Sequence, residues 1–403
     1  MQKSLYNLNN GENIFSGYVE RKSLFKNKRV LSSSFIPDNI PHRDAEISQI
    51  SSIIAPALRG YTPNNVFIYG TCGTGKSLTV QFVLNQLHEV NKNADNEIKS
   101  MYINCKMKKV ADTEYRLFAH MLKEIGHDVP DTGLPTDVLY NKFFETIDSK
   151  KQLIIIILDE IDALFKKVGD EFLYNLTRIN LELKQAQISL IGITNDLSFL
   201  NDLDARVKSS LGEEEILFKP YNAMQLKDIL MNRVKEGFNQ SDIDNVVVNK
   251  CAALAAQEHG DARRALDLLR VAGELAERLG DVKVEEKHVN MAEEKIDIDK
   301  IIEIIKTQPK QSQAVLYAII NCDEKCLTGD VFEKYKDICL KNNIKILTQR
   351  RVGDLINEMD MLSILTSKVI SKGRYGRTRA ISLSVSDNVS NKIRNILKTR
   401  FEL

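Results

Sequence analysis

Residues 66–77 read Val66-Phe67-Ile68-Tyr69-Gly70-Thr71-Cys72-Gly73-Thr74-Gly75-Lys76-Ser77, an apolar run passing directly into Gly-x-x-x-x-Gly-Lys-Ser. Beyond it, Leu78, Val80, Phe82, Val83 and Leu87 keep helical spacing. Strand, glycine-rich loop and helix in this order form a cradle for a polyphosphate. Gly70, Gly73 and Gly75 let the backbone turn its N–H groups inward, and the helix adds its positive end. With Thr74 and Leu78 among the contacts, Lys76 reaches the β- and γ-phosphates and Ser77 takes Mg2+. A chance glycine-rich turn would not need the flanking strand and helix. The stretch predicts a bound nucleoside triphosphate.

A second fully apolar run, Leu153–Leu158, ends in Asp159-Glu160-Ile161-Asp162. A carboxylate at the C-terminal end of a strand beside the phosphate loop can hold Mg2+ through water, which makes Asp159 the metal partner of Ser77. Glu160 is the candidate general base for the attacking water. An isolated Asp-Glu would be only a charged loop; its pairing with Gly-Lys-Ser upstream gives it chemistry. Ile188–Thr194 delivers Asn195 to the same edge, where an amide can bond a γ-phosphate, although Asn195-Asp196 alone is equally an ordinary turn. Arg206, just past that strand, is either an arginine finger toward a neighbouring subunit's nucleotide or a surface arginine. Arg263, in the first turn of a later helix, is either a γ-phosphate sensor or a solvated side chain.

The 403 residues exceed what one core accommodates, and a 43% apolar content is that of an ordinary folded chain. The run 153–158 is far short of the roughly 20 residues that cross a bilayer, and the Asn-rich start has no secretory core, so the expected setting is the cytoplasm. Six scattered cysteines (72, 105, 251, 322, 326, 339) read as reduced thiols, and the spacing of the last three matches no common zinc pattern. Net charge is +1, yet residues 301–403 hold 18 Lys and Arg against 11 Asp and Glu, leaving 38 against 44 for residues 1–300. A segregated basic C-terminal quarter points to a nucleic-acid-binding module.

Apolar strands alternating with helices up to about residue 220 predict a parallel sheet covered on both faces. Within it the pattern gives strands at 66–69, 101–104, 153–158 and 188–194. From Asn222 it becomes helical only, at about 223–237, 242–258, 261–279 and 285–305. The last unit carries three helices near 311–322, 328–342 and 348–360, then β-like stretches at 362–367 and 379–385, the order of a winged helix. The expected division is a flexible arm at 1–17, continuing as a basic stretch through Arg29, an ATPase domain at 18–220, a helical domain at 221–305 and a winged helix at 306–403.

The succession Gly-Thr-Cys-Gly-Thr-Gly-Lys-Ser, Leu-Asp-Glu-Ile-Asp, Ile-Thr-Asn, Asp-Ala-Arg-Val-Lys-Ser-Ser-Leu and Gly-Asp-Ala-Arg-Arg-Ala-Leu-Asp-Leu-Leu-Arg resembles the AAA+ ATPases, specifically the archaeal origin-recognition and cell-division-control initiators. The likeness runs from about Tyr18 to Val385. It implies an α/β P-loop ATPase domain, a helical lid and a winged helix. It makes Lys76 and Ser77 the Walker A pair, Asp159 and Glu160 the Walker B pair, Asn195 sensor 1, Arg206 the finger and Arg263 sensor 2. Tyr221 and Arg233 correspond to nucleotide contacts at the lid entrance, or else to a core tyrosine and a surface arginine. His42 and Arg43, in Ile-Pro-His-Arg-Asp, correspond to the adenine-side motif, which mainly offers backbone contacts. The implied ligands are ATP or ADP with Mg2+, used by a slow ATPase that acts as a switch.

The resemblance further implies double-stranded origin DNA as a partner, the replicative helicase as a second, and neighbouring initiator subunits assembled on DNA. DNA contact falls to Gln349, Arg350 and Arg351 at the start of a recognition helix and to Lys372, Arg374, Tyr375, Arg377 and Arg379 in the wing. A solvated basic hairpin or a protein-binding winged helix is the plainer alternative. The insertion 111–136, with Pro130, Gly133 and Leu134 at its tip, is a further DNA contact or a loop packed on the domain. A clamp-loader-like or motor ATPase acting on DNA, and a non-replicative DNA-binding regulator, are the competing functions.

Overall fold

In a computed structural model of the chain the described residues are 23–92, 97–107, 111–130, 133–199, 203–211, 213–239, 241–322, 326–362, 364–371, 377–385 and 387–401. The arm expected at 1–17 lies outside them. The chain divides into two compact units, one ending at Asn290 and the other beginning at Met291.

The first unit is built on five parallel strands, β1 (Val66–Tyr69), β2 (Ile98–Asn104), β3 (Leu153–Asp159), β4 (Gln187–Thr194) and β5 (Glu214–Leu217), in the order β2-β3-β4-β1-β5. Every residue of β3 is buried. Period-two alternation sends Ile154, Ile156 and Leu158 to one face, against α3 (Glu114–Glu124), α4 (Thr136–Ile147), α5 (Ile161–Val168) and α6 (Glu171–Arg178). It sends Leu153, Ile155 and Ile157 to the other, against α1 (Asp44–Ile54) and α2 (Lys76–Asn91). Such side chains each contribute about 1.5–3 kcal/mol on burial, which is why the sheet centre tolerates no polar alternation. The fifth strand was not expected. Glu213, Glu214 and Glu215 hide it, because an edge strand needs backbone pairing, here with β1, and only Ile216 is buried. β2 also begins three residues earlier than its pattern suggested.

A short helix, α7 (Ala205–Leu211), follows β4, and the lid comprises α8 (Ala223–Gly237), α9 (Asn245–Gln257), α10 (Ala262–Leu279) and α11 (Glu286–Thr307), the last running on across the boundary between units. Asn222 and Gln225 form a capping box that fixes the start of α8. The basic stretch after residue 22 is not an irregular arm. Residues 28–31 form a 3-10 helix with Val30 and Leu31 buried, Phe25 packs 4.7 Å from Phe238, and Lys28 pairs with Glu274 at 3.0 Å. This segment packs on the lid through two apolar pairs, Leu24-Phe25 and Val30-Leu31, that flank the basic run which suggested an arm.

The second unit contains α12 (Lys310–Ile320), α13 (Thr328–Lys341) and α14 (Gln349–Met361) with a sheet ordered β6-β8-β7 from β6 (Cys326–Leu327), β7 (Leu365–Ser371) and β8 (Arg377–Leu383). A further helix, α15 (Asp387–Phe401), lay beyond the expected elements; its Val389, Ile393, Leu397 and Phe401 are buried in the same core. Cys322, Cys326 and Cys339 are free thiols, and no metal-holding cluster is present among the described residues. No helix there is long and apolar enough to cross a membrane.

Candidate functional site: a nucleotide cleft and an exposed helix start

The loop between β1 and α2 sits at the C-terminal edge of the sheet, facing the first turn of α10. Gly73 has φ +71°, and a Cβ added there would lie 1.7 Å from Asp261 Oδ1; Gly75 has φ +90°, with Tyr221 Oη 3.0 Å from its absent Cβ. Only glycine permits this backbone and this approach of the lid. Asp261 caps α10 by accepting from the Arg263 and Arg264 amides, and the Ala262 amide donates to Gly73 O at 3.1 Å. The phosphate loop and the lid are thus in direct contact.

Lys76 is buried, and its ammonium donates to Gly70 O (2.7 Å), Thr71 O (2.8 Å) and Asn195 Oδ1 (2.7 Å). Burial lowers its pKa to about 8, with nearby Cys72 and Asp159 opposing the shift. Thr74 Oγ1 closes the loop on Thr71 O at 2.9 Å. Ser77 Oγ donates to Asp159 Oδ2 at 2.7 Å, and the Glu160 amide donates to Asp159 Oδ1 at 2.9 Å. Glu160 itself has φ +56°, a left-handed backbone costing a non-glycine residue about 1–3 kcal/mol. Its Oε2 is buried without a hydrogen-bond partner and lies 3.8 Å from Lys106 Nζ.

These groups line a polar cavity of about 400 Å³ that also takes in Gly73, Asn195 and Arg263. An adjoining, more apolar cavity of about 380 Å³ is walled by Ile40, Pro41, Tyr221 and Ile229, and the two share Gly75, Leu78, Arg233, Ala262 and Leu266. Arg233 decides what the cleft can hold. It is buried, its Nη2 donates to Phe35 O at 3.4 Å, its Nη1 has no hydrogen-bond partner among the described residues, and burial lowers its pKa. A buried guanidinium held by one long hydrogen bond and the Phe35 ring, 4.9 Å away, suits an added anion, and the apolar chamber beside it suits a flat base.

Most sequence-predicted nucleotide contacts therefore meet in one cleft, from Gly70 through Leu78 with Asp159, Glu160, Asn195, Tyr221, Arg233 and Arg263. Two turn their side chains to other protein groups. Arg43 is buried among protein groups: Nε donates to Thr74 O and Tyr221 Oη, both at 3.0 Å, Nη2 to Lys219 O at 2.7 Å, Nη1 to Glu46 at 2.8 Å, and the guanidinium stacks 4.0 Å from the Tyr221 ring. Each of its three nitrogens donates to a protein acceptor, so it joins loop and linker from behind. His42 faces Asp228 on α8, with Nε2 at 3.0 Å. Arg206 stands apart from the cleft, exposed, bidentate to Asp204 (3.0 and 3.1 Å) and 4.9 Å from the Tyr174 ring. Sequence reasoning missed Tyr102 and Asn104. Reading the β2 alternation back to Ile98 would have put Ser100, Tyr102 and Asn104 on the α2 face.

In the second unit Thr348 caps α14 by accepting from the Arg351 amide, and Val352, Leu355, Ile356 and Met359 are buried. That leaves Gln349, Arg350 and Arg351 all exposed on the opening turn. Arg379 is differently placed, with Nη1 donating to Gly353 O at 3.3 Å and to Asn357 Oδ1. It ties β8 to α14. Arg377 opens β8, while Lys372, Arg374 and Tyr375 lie outside the described residues. In the insertion, Tyr115 Oη donates to Pro130 O at 2.8 Å and Leu134 is exposed.

Three family models match in register with these elements: an AAA domain over residues 59–200, a Cdc6 AAA+ ATPase-type lid domain over 227–294 and a CDC6 C-terminal winged helix domain over 303–392. An ORC1-type DNA replication protein of Thermococcus onnurineus is 51% identical over 400 residues, covering 97% of this chain and 95% of the relative. The chain belongs to the ORC1-type DNA replication protein family. Its counterpart in Thermococcus kodakarensis is 53% identical over 381 residues, 93% of this chain and 91% of that one. The structure of the Aeropyrum pernix ORC1 protein in complex with DNA superposes with a TM-score of 0.81 at 41% identity, covering 95% of this chain and 99% of the other. The Drosophila ORC structure, at TM-score 0.58 and 19% identity over 98% and 96%, shares the fold. ORC1-type membership sets aside the clamp-loader, motor and non-replicative readings. As an AAA+ ATPase family member, the chain is a nucleotide-binding replication initiator.

Proposed function

We propose that this initiator binds ATP and ADP with Mg2+ in the cleft, uses slow hydrolysis as a switch, and marks double-stranded origin DNA through its winged unit. The observation that carries the nucleotide half is Arg233 Nη1, a buried cationic donor with no hydrogen-bond partner among the described residues, at the junction of an apolar and a polar chamber. The bound Mg2+-nucleotide supplies a γ-phosphoryl group made electrophilic by charge neutralisation. Lys76 would leave Gly70 O and Thr71 O for phosphate oxygens, an exchange of neutral carbonyl acceptors for charged ones. Ser77 and Asp159 would hold the ion, Asn195 would orient the γ-phosphate end, and Glu160 would accept the proton of the attacking water. Arg263, in the first turn of the helix whose cap touches Gly73, would report the γ-phosphate to the lid.

Arg206 suits a role in trans, since its exposed guanidinium is preorganised by Asp204 outside its own cleft; this supports assembly with neighbouring subunits on DNA. Gln349, Arg350 and Arg351 suit phosphate and base edges, as does the basic wing sequence. The DNA complex of the 41% identical Aeropyrum pernix protein supports the same partner. A nucleoid-associated place in the cytoplasm and help in loading the replicative helicase follow from that reading. The test is nuclease footprinting of the organism's own replication start regions with the full-length protein, in ATP and in ADP. We expect a discrete protected register whose extent or edge changes with nucleotide. Protection indifferent to both sequence and nucleotide would overturn the proposal.

A further inference from the structure

Asp159 carries a partner that the nucleotide chemistry does not use. β2 pairs in parallel with β3 so that Tyr102 lies opposite Ile157 and Asn104 opposite Asp159. Alternation places Tyr102 on the face covered by α2, the helix that begins with Lys76 and Ser77. From there its phenol donates to Asp159 Oδ2, the same oxygen that accepts from Ser77 Oγ at 2.7 Å. A carboxylate oxygen has two good acceptor positions, and both on Oδ2 are filled. Oδ1 is engaged by the Glu160 amide. The oxygen nearest the phosphate-loop hydroxyl therefore has no free position for a water bound to an ion.

We propose that Tyr102 is a positioning residue that caps Asp159 Oδ2 and competes with the water of a bound Mg2+ for that oxygen, so that the tyrosine sets how strongly the ion and the nucleotide bind together. The inference rests on the reading of Ser77 and Asp159 as the ion site. Release has somewhere to go: Gln81 and the phenol line the same polar cavity.

The experiment measures the affinity of a non-hydrolysable ATP analogue with Mg2+ and with chelator, for the wild-type chain and for Tyr102→Phe, checking the fold of each by melting temperature. Removing the hydroxyl frees one acceptor position of a charged carboxylate. The factor by which Mg2+ tightens the analogue should rise roughly tenfold over wild type, the scale of one charge-assisted hydrogen bond. Tyr102→Leu should give the same rise, because the effect belongs to the hydroxyl and not to the ring. A factor unchanged or lowered in Tyr102→Phe overturns the cap while leaving the ion site intact. A wild-type chain whose affinity ignores Mg2+ overturns the ion site and the cap together.

Discussion

The nucleotide cleft and the opening turn of α14 both gather positive charge, but they hold it in opposite ways. In the cleft, Lys76, Arg233 and Arg43 are each more than nine-tenths buried, and Lys76 and Arg43 are fixed by short bonds from several elements. On α14, Arg350 and Arg351 stand in solvent, and Arg351 has only Asp354 and Glu358 at 3.8 and 3.7 Å. Buried charge is costly unless it has a specific partner, so the cleft is committed to one ligand chemistry. Exposed charge is cheap, screened by salt and tolerant of register. The switch and the grip of one molecule are thereby made from the same residue types under different dielectric conditions.

The largest expected effect lies in the cleft. Glu160→Gln should lower the ATP hydrolysis rate by about 10²–10⁴-fold while leaving nucleotide affinity within a few-fold, read by single-turnover kinetics beside equilibrium binding. Equal losses in both would mean that Glu160 supports the loop and not the reaction. The next effect is on pH. Burial brings the Lys76 pKa down to about 8, so the folded protein favours the neutral amine, and this contributes to stability only as pH climbs from 8 toward the ordinary lysine value. A polyphosphate requires the ammonium form. ADP affinity should therefore be flat below pH 8 and weaken by roughly tenfold per unit above it, with proton uptake seen calorimetrically in two buffers. Flat affinity to pH 10 would show that Lys76 is no more buried in its effect than the arginines of α14. The smallest effect belongs to those arginines: Arg350→Ala with Arg351→Ala should weaken DNA binding by only about three- to tenfold and cut the salt slope by about one per charge removed. A loss on the scale of the cleft would break the contrast.

Much of this was legible because periodicity and chemistry agreed. The continuous run Leu153–Leu158 could only be a doubly covered strand, and Gly-Lys-Ser after Val66–Tyr69 could only mean one loop. Where pattern and chemistry parted, the sequence was silent. β5 holds its place by backbone pairing, which three glutamates do not reveal. α15 was legible in the four-residue spacing of Val389, Ile393, Leu397 and Phe401, yet no motif drew attention to it. Arg43 looked like a ligand contact because it adjoins one in sequence; only the fold shows its donors turned toward Thr74 O, Lys219 O and Tyr221. Arg379, grouped with the wing by charge, is drawn by Asn357 to the side of α14.

The segment that begins at Ser23 has a mechanical consequence. It lies along the lid, with Lys26 and Asn27 amides on Gly237 O and Phe25 against Phe238, before the chain crosses to α1. The lid is thus held to the sheet in two ways, covalently through the stretch 218–222 and by the non-covalent packing of this segment, and the two come together where Arg43 touches Tyr221. A body hung at one point can swing in any direction; hung at two, it turns about the line between them. A nucleotide seated between sheet and lid would then work against two attachments at once, one of chain and one of packing.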